Sequence, residues 1–246
     1  MLKTLNHIGR YTQMLMGMFS APENAAMYWK ETVRQMVNIG VGSLIIISVI
    51  SMFMGAVTAV QFAFQLQGSP MVPIYLLGYI IRDMMIIELA PTISCLVLAG
   101  KVGSNIAGEL GTMRVSEQID ALEIMGINTT SYLIAPKILA GVLIVPLLII
   151  LASFLGIFGG MMSADSYGID AEIFQRGIVY LFEPFNVVIM LIKATVFAFI
   201  VTSVSCYQGY YVKGGALDIG KASTRAVVYS SILIIFFDYI LASILT

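Results

Sequence analysis

Residues 39–66 read IGVGSLIIISVISMFMGAVTAVQFAFQL and contain no charged side chain. A helix rises about 1.5 Å per residue, so about 20 apolar residues cross the hydrocarbon core of a bilayer. The segment exceeds that requirement, and no charge occurs between Arg34 and Arg82. This stretch predicts a membrane-spanning helix and places the chain among integral membrane proteins.

Four more segments have the same character. Turn-forming residues at 67–73 and a polar stretch at 163–176 separate some of them. The whole chain is 59% hydrophobic and 11% charged, whereas soluble domains carry about 25% charged residues. We therefore predict an all-α, single-domain membrane protein, residues 1–246, with spans at about 39–66, 72–100, 136–163, 184–209 and 225–245.

Basic residues set the orientation of such spans, because they are retained on the cytoplasmic side. Ten of the 13 lysines and arginines fall in the N-terminal segment, in the connection 100–137 or in the connection 210–225. Five spans place these three segments on one side. The pattern predicts a cytoplasmic N-terminus and a periplasmic C-terminus.

The N-terminal region, residues 1–36, shows helical periodicity. It lacks a continuous apolar core and a small-residue cleavage site, so a cleavable signal peptide is not expected. We predict an amphipathic helix lying in the membrane interface, and a frayed tail is the alternative. The apolar residues that recur at helical spacing are Leu2, Leu5, Ile8, Tyr11, Met14, Leu15 and Met18.

An acidic stretch, AGELGTMRVSEQIDALEIMG at 107–126, interrupts the apolar sequence. We predict a short amphipathic cytoplasmic helix within 105–126. Gly108 and Gly111 allow a bend before it, Ser116 caps its start and Gly126 ends it. It either docks a soluble partner or is a solvated helix without one. The apolar face expected to rest on the spans comprises Leu110, Met113, Ile119, Leu122 and Met125.

Ionisable residues inside a span are costly and mark candidate functional sites. Glu88 lies deep in the second span, and Pro91 loosens the helix beside it. Lys193 and Asp238 should lie at comparable depth in the fourth and fifth spans. We predict an ion pair between them, and contact of Lys193 with a substrate headgroup is the alternative.

Two further groups belong to the outer half of the spans. Arg82 and Asp83 form either a mutually neutralising pair or charges at a cavity rim. The neutral amide of Gln61 lies close to apolar residues. This second group forms either a pocket for acyl chains and a headgroup or ordinary packing, and it comprises Gln61, Phe62, Phe64, Leu66 and Tyr75.

Several activities lack the residues they need. The chain contains no G-x-x-x-x-G-K-[ST] phosphate loop, because Ala222 follows the lysine of GKAST at 220–224, so we expect no ATPase site in this chain. One histidine and two isolated cysteines, Cys95 and Cys206, provide no metal or catalytic set, and we expect no bound metal or cofactor. The net charge of −1 does not favour nucleic-acid binding.

The segment AGKVGSNIAGELGTMRVSEQIDALEIMGINTTSYLIAPKILA (99–140) resembles the signature of the MlaE-type permease family, the membrane subunits of MCE-linked lipid ABC transporters. Weaker likenesses agree in order: the first span at 38–66, IIELAP at 86–91, LIKATVFAF at 191–199 and the glycine-rich loop with the last span at 209–241. The likeness covers about 38–245. One departure is Ile87, where family members often place arginine.

The resemblance implies a homodimer of five-span subunits, with a cytoplasmic ATPase that binds ATP and Mg²⁺ below and a periplasmic MCE-domain protein above. The substrate implied is phospholipid, moved to maintain outer-membrane lipid asymmetry, and Glu88 would line the lipid cavity between subunits. The acidic stretch would be the coupling helix. Its candidate ATPase contacts are Glu109, Arg114, Glu117, Gln118, Asp120 and Glu123.

Rival functions remain at this point. A permease for sterol or another hydrophobic compound uses the same architecture. An intramembrane lipid-modifying enzyme needs a catalytic cluster at one depth, and a small-solute importer needs a polar cavity; the sequence shows neither. The expected location is the bacterial inner membrane, with the plastid envelope as the alternative.

Overall fold

The structure is a computed structural model that describes residues 2–18, 25–67 and 73–245. Most of the turn expected at 67–73, and the expected start of the second span, lie outside the described residues. Within them every regular element is helical. The α-helices are α1 (Leu2–Met18), α2 (Ala25–Gln67), α3 (Leu76–Met84), α4 (Ala90–Leu98), α5 (Ser104–Val115), α6 (Gln118–Ile124), α7 (Ala135–Asp165), α8 (Ala171–Val179), α9 (Pro184–Tyr210) and α10 (Ala216–Leu245).

Five helical segments in the described part of the chain are long and apolar enough to cross a membrane, which agrees with the number predicted. Each segment extends beyond the predicted span at one end or at both, because a helix continues into polar residues after the apolar sequence stops, and the second begins at Leu76 instead of residue 72. The last begins well before the predicted residue 225, for example. The segments are Ala26–Leu66, Leu76–Val115, Thr130–Asp165, Pro184–Tyr210 and Ala216–Leu245.

The chain forms two compact units, each built from three stretches. The first comprises Met1–Ser43, Leu98–Val145 and Val196–Phe237. The second comprises Leu44–Val97, Pro146–Thr195 and Asp238–Thr246.

In the first unit α1 is a helix that packs on the C-terminal part of α9. Its His7 Nδ1 lies 2.7 Å from the Tyr207 hydroxyl, and the Tyr11 hydroxyl donates a hydrogen bond of 2.8 Å to Ser203 Oγ. Met14 is only 1% exposed. Burial raises the pKa of Tyr11 above its ordinary value, so the phenol stays protonated. Docking on α9 orders α1, while its place in the membrane interface stays a prediction.

The acidic stretch also belongs to the first unit, and it is two helices, not one. We call residues 104–126, which comprise α5, the turn after it and α6, the elbow. Gly108 and Gly111 lie inside α5, so the predicted bend there is wrong. Ser116 ends α5 by donating to the Thr112 carbonyl at 2.7 Å, so the predicted N-cap role is wrong as well.

The turn of the elbow occurs at Glu117, which adopts a left-handed conformation with φ 59°. Sequence reasoning missed it because glycine, not glutamate, is the usual residue there. Gly126, with φ 82°, follows α6 as predicted. Ile119 is fully buried, but Met125 is 66% exposed, so Met125 was wrongly assigned to the face resting on the spans.

In the second unit, glycines bring α2 and α7 into backbone contact. A Cβ at Gly55 would overlap the carbonyl oxygen of Gly156, and one at Gly159 would overlap that of Met52. The GxxxG spacing of Gly156 and Gly160 is typical of such close helix approaches in membranes. A second tight contact joins Gly78 of α3 to Gly177 of α8.

Three π-helical turns, Met85–Leu89, Ala99–Gly103 and Thr130–Ile134, continue the helices without a break. The first carries Glu88 and ends two residues before Pro91. Proline provides no N–H and its ring displaces the carbonyl four residues earlier, which favours a wider turn. The loosening expected at Pro91 therefore takes the form of a π-turn, and this turn positions Glu88.

Candidate functional site

Three charged side chains meet in the second unit, within the apolar segments. Lys193 Nζ of α9 lies 2.6 Å from Glu88 Oε2 and 2.8 Å from Asp238 Oδ1 of α10. Thr92 Oγ1 donates a hydrogen bond of 3.1 Å to Asp238 Oδ2. We call Glu88, Lys193 and Asp238 the charge cluster. One cation faces two carboxylates, so the cluster carries a formal charge of −1.

The three members of the charge cluster differ in exposure. The side chain of Lys193 is 0% exposed and that of Asp238 is 11% exposed, whereas that of Glu88 is 46% exposed. A buried charge is tolerated only when it is paired. Lys193 and Asp238 therefore neutralise each other in the interior. Glu88 completes the cluster and is the member that other molecules can reach.

The other residues predicted for a lipid cavity lie near the end of α2 and before α3. Gln61 is exposed, Phe64 is 74% exposed, and Phe62 and Leu66 are partly exposed. Tyr75 instead stacks edge-to-face on Tyr180, with 5.4 Å between ring centroids. The α2 side chains of this set thus lie at the surface of the single chain, where an apolar partner or lipid can cover them.

Arg82 is the largest fully buried side chain of the second unit, at 1% exposure. Its guanidinium pairs with Asp83 at 2.7 Å. It also donates to the carbonyls of Ile178 and Tyr180 at 2.6 and 2.9 Å. These bonds tie α3 to the chain that follows α8. Of the two roles considered, the contacts match a neutralised pair, and they give it a structural task.

In the first unit, Arg114 braces the elbow. Arg114 Nη1 lies 2.7 Å from Asp120 Oδ1 and 3.6 Å from Glu123 Oε1. The Tyr210 hydroxyl donates to the same Glu123 oxygen at 3.0 Å and lies 2.7 Å from Thr129 Oγ1. This network joins α5, α6 and the end of α9.

A second ion pair fixes the first part of the elbow. Lys137 Nζ, on α7, lies 2.6 Å from Glu109 Oε2 of α5. The side chain of Lys137 is only 3% exposed, so Glu109 is held by a buried cation. Four of the six predicted ATPase contacts, namely Glu109, Arg114, Asp120 and Glu123, thus have partners within the chain.

The remaining two predicted contacts, Glu117 and Gln118, are exposed. Neither makes a side-chain hydrogen bond or ion pair with the part of the chain that the structure describes. Beside them, Ile124 is 87% exposed and Met125 66% exposed. The elbow therefore ends in a surface of free polar groups and two uncovered apolar side chains.

The charge cluster and the elbow both lie within a range of the chain that matches a known family of permeases. The family described as Permease MlaE matches residues 32–244, which is most of the chain. The chain belongs to the MlaE permease family. The match confirms the resemblance inferred from the segment 99–140.

Individual proteins similar to this MlaE-family permease agree with the family assignment. A protein from Rickettsia bellii, "Probable ABC transporter permease protein", is 34% identical over 99% of this chain and 93% of its own length. "Intermembrane phospholipid transport system permease protein MlaE" of Haemophilus influenzae is 31% identical over 97% of this chain and 91% of its own. "Protein TRIGALACTOSYLDIACYLGLYCEROL 1, chloroplastic" of Arabidopsis thaliana is 33% identical over 88% of this chain and 62% of its own length.

The family and the five apolar helices identify a multi-pass membrane protein that is a transporter membrane subunit, which is not itself an enzyme. Among residues 2–18, 25–67 and 73–245, no group of three or more His, Cys, Asp or Glu side chains could hold a metal ion. Cys95 and Cys206 are free and buried in this permease.

Sequence reasoning missed three parts of these sites. It did not predict the contact of Glu88 with Lys193, that of Lys137 with Glu109, or that of Arg82 with the carbonyls after α8. A usable signal existed for the first two pairs, because each joins a lone lysine near or inside a span to an acid of another helix. No sequence signal pointed to backbone carbonyls as the partners of Arg82.

Proposed function

We propose that this permease moves phospholipid between the bacterial inner membrane and a periplasmic MCE-domain protein, as a homodimer driven by a separate cytoplasmic ATPase. The task served is maintenance of outer-membrane lipid asymmetry. The observation that carries the proposal is the similarity to the Haemophilus phospholipid transport permease over 97% of this chain. The name of the Rickettsia bellii relative, an ABC transporter permease protein, supports coupling to an ABC-type ATPase.

The charge cluster and the end of α2 supply the lipid cavity in this proposal. Exposed apolar side chains such as Phe64 contact acyl chains, and Gln61 offers a hydrogen bond to a headgroup. Glu88 is the one half-exposed charge of the cluster. A second subunit completes the cavity, because the α2 side chains of this set lie at the surface of one chain.

The elbow couples this cavity to ATP hydrolysis. Glu117, Gln118, Ile124 and Met125 contact the ATPase, while Arg114 and Lys137 hold the elbow to the long helices. Closure of the ATPase dimer moves the elbow, and the braces pass the movement on. Lipid leaves the cavity because the ATP-bound state stabilises a narrowed form and the ATP-free state a loaded one.

Reversing one exposed charge of the elbow tests the coupling surface. Glu117→Lys is expected to weaken ATPase binding about tenfold while leaving bound lipid unchanged, because a like-charge contact opposes association. The measurement is the amount of ATPase that copurifies with the permease. Asp120→Lys is a poorer choice, since it also breaks the 2.7 Å pair with Arg114.

Glu183→Lys is the matched control for this experiment, because Glu183 is exposed and lies before α9, on the side predicted to be periplasmic. It should bind the ATPase as well as the wild type does. A second variant, Ile124→Asp, should resemble Glu117→Lys. Full ATPase binding by both elbow variants would show that the elbow surface is merely solvated.

A change at Glu88 tests the lipid cavity. Glu88→Gln is expected to keep ATPase binding but to lower ATP-driven phospholipid transfer about tenfold, because an ionic hydrogen bond to the headgroup is lost. The variant stays folded, since Lys193 keeps Asp238 as its partner. Transfer is measured from proteoliposomes to the MCE protein, with Glu183→Gln as the control.

Two outcomes contradict the proposal. Equal transfer by Glu88→Gln and the wild type would remove Glu88 from the cavity. Transfer of a sterol but not of phospholipid by the wild type would overturn the substrate and favour the rival hydrophobic compound.

A further inference from the structure

A pocket rich in basic residues lies in the first unit, and its lining residues belong to neither the charge cluster nor the elbow. It has a volume of about 340 Å³ and is bounded by α1, the end of α9, the connection 211–215 and the start of α10. We call it the basic pocket. Its charged or titratable lining residues are His7, Arg10, Lys213, Asp218, Lys221 and Arg225.

The basic pocket carries an excess of positive charge. Four permanent cations line it against the single carboxylate of Asp218, which pairs with Lys221 at 3.1 Å. The guanidinium of Arg10 lies over the face of Tyr211, at 5.8 Å to the ring centroid. Among the described residues, no carboxylate lies within ion-pair distance of Arg10, Lys213 or Arg225. Three cations are thus left to share one cavity.

The interior of the basic pocket differs from an open charged surface. Its floor includes Tyr207, Val212 and Ala222, which are 8%, 8% and 6% exposed. Buried apolar walls lower the local dielectric, so an anion inside is attracted more strongly than one at the surface. The Tyr207 hydroxyl, which already contacts His7 at 2.7 Å, adds a polar group to this floor.

We propose that the basic pocket binds the phosphate of an anionic ligand and thereby ties α1 to α9 and α10. Arginine and lysine bind phosphate by short, charge-assisted hydrogen bonds. Basic pockets between membrane helices on the cytoplasmic side suit anionic lipid headgroups. The shared chemistry is a phosphate group with net negative charge, supplied by a membrane lipid or by a free phosphate. The site is independent of the proposed lipid transport.

Binding is tested with the full chain in phosphatidylcholine nanodiscs with added phosphatidylglycerol, by native mass spectrometry of the lipid retained. Lys213→Gln/Arg225→Gln is expected to retain phosphatidylglycerol about thirtyfold more weakly, because each cation contributes severalfold to anionic-lipid affinity. Both side chains are exposed, so the variant should melt at the wild-type temperature.

The matched control is Lys30→Gln/Arg34→Gln, which removes two exposed cations of α2 that do not line the pocket. It should bind phosphatidylglycerol as the wild type does. Asp218→Asn should have the opposite effect on binding, because it removes the competing carboxylate and frees Lys221. It should bind phosphatidylglycerol about fivefold more tightly.

Pyrophosphate, added to the protein in detergent without lipid, distinguishes the two sources. Binding of pyrophosphate that displaces phosphatidylglycerol identifies a site open to free phosphates, whereas binding of phosphatidylglycerol alone identifies a lipid site; both support the phosphate assignment. Equal retention of phosphatidylcholine and phosphatidylglycerol by the wild type overturns it. So does an equal loss in the pocket variant and the control, or no effect of Asp218→Asn.

Discussion

Replacing Lys193 with methionine is expected to destabilise the protein by about 3–5 kcal/mol, the cost of removing one partner from a buried ion pair. Lys193 is fully buried and is held at 2.6 and 2.8 Å by Glu88 and Asp238. Without it, two carboxylates face each other inside the apolar segments. Thermal unfolding of the purified protein in detergent measures the loss.

The control for Lys193→Met removes the carboxylates as well. The triple variant Lys193→Met/Glu88→Gln/Asp238→Asn has no charge left in the cluster, so it should recover most of the lost stability, as neutral replacements of buried ion pairs generally do. Its lipid transfer should still be about tenfold or more below that of the wild type under the proposed function, because Glu88 is missing. A wild-type melting temperature for Lys193→Met alone would show that the cluster does not stabilise the fold.

Replacing Gly55 with leucine is expected to cost about 1–3 kcal/mol or more, as overpacked interiors do. Any Cβ at this position overlaps the carbonyl oxygen of Gly156, which belongs to the backbone of α7 and cannot rotate away. The helices α2 and α7 must therefore separate, and the contact of Gly159 with Met52 is lost with the first. The measurement is again the melting temperature in detergent.

Gly42 provides the matched control, because it lies on the same helix and a Cβ there meets nothing within 4 Å. Gly42→Leu should change stability by no more than about 0.5 kcal/mol, as exposed substitutions do. If Gly55→Leu and Gly42→Leu have the same melting temperature, the close approach of α2 and α7 does not limit stability.

The sequence predicted only part of the charge cluster. Comparable depth along two spans pointed to Lys193 and Asp238, since depth follows from counting residues along a helix. Glu88 was assigned to a cavity, and its contact with Lys193 at a separation of 105 residues was not foreseen. That contact depends on which faces of the two helices meet, and depth does not contain this information.

The elbow shows the same limit at short range. Its acidic face, its helical periodicity and the stop at Gly126 followed from local sequence. The division of the elbow into two helices at Glu117 did not follow from local sequence, because a left-handed glutamate is stabilised by the surrounding contacts and not by its own preference. The exposure of Met125 could not be predicted from local sequence either, because the turn at Glu117 changes which face of α6 meets the long helices.

The sequence by itself determined that the chain is helical, that it has five apolar segments able to span a membrane and that it belongs to the MlaE permease family. These properties follow from contiguous residues, because hydropathy and helical hydrogen bonding are local. Only the tertiary structure decided that Glu88 meets Lys193, where Arg82 finds its carbonyl partners and how the basic pocket is enclosed. Those contacts join residues far apart in the chain, and their free energies depend on distances that folding alone creates.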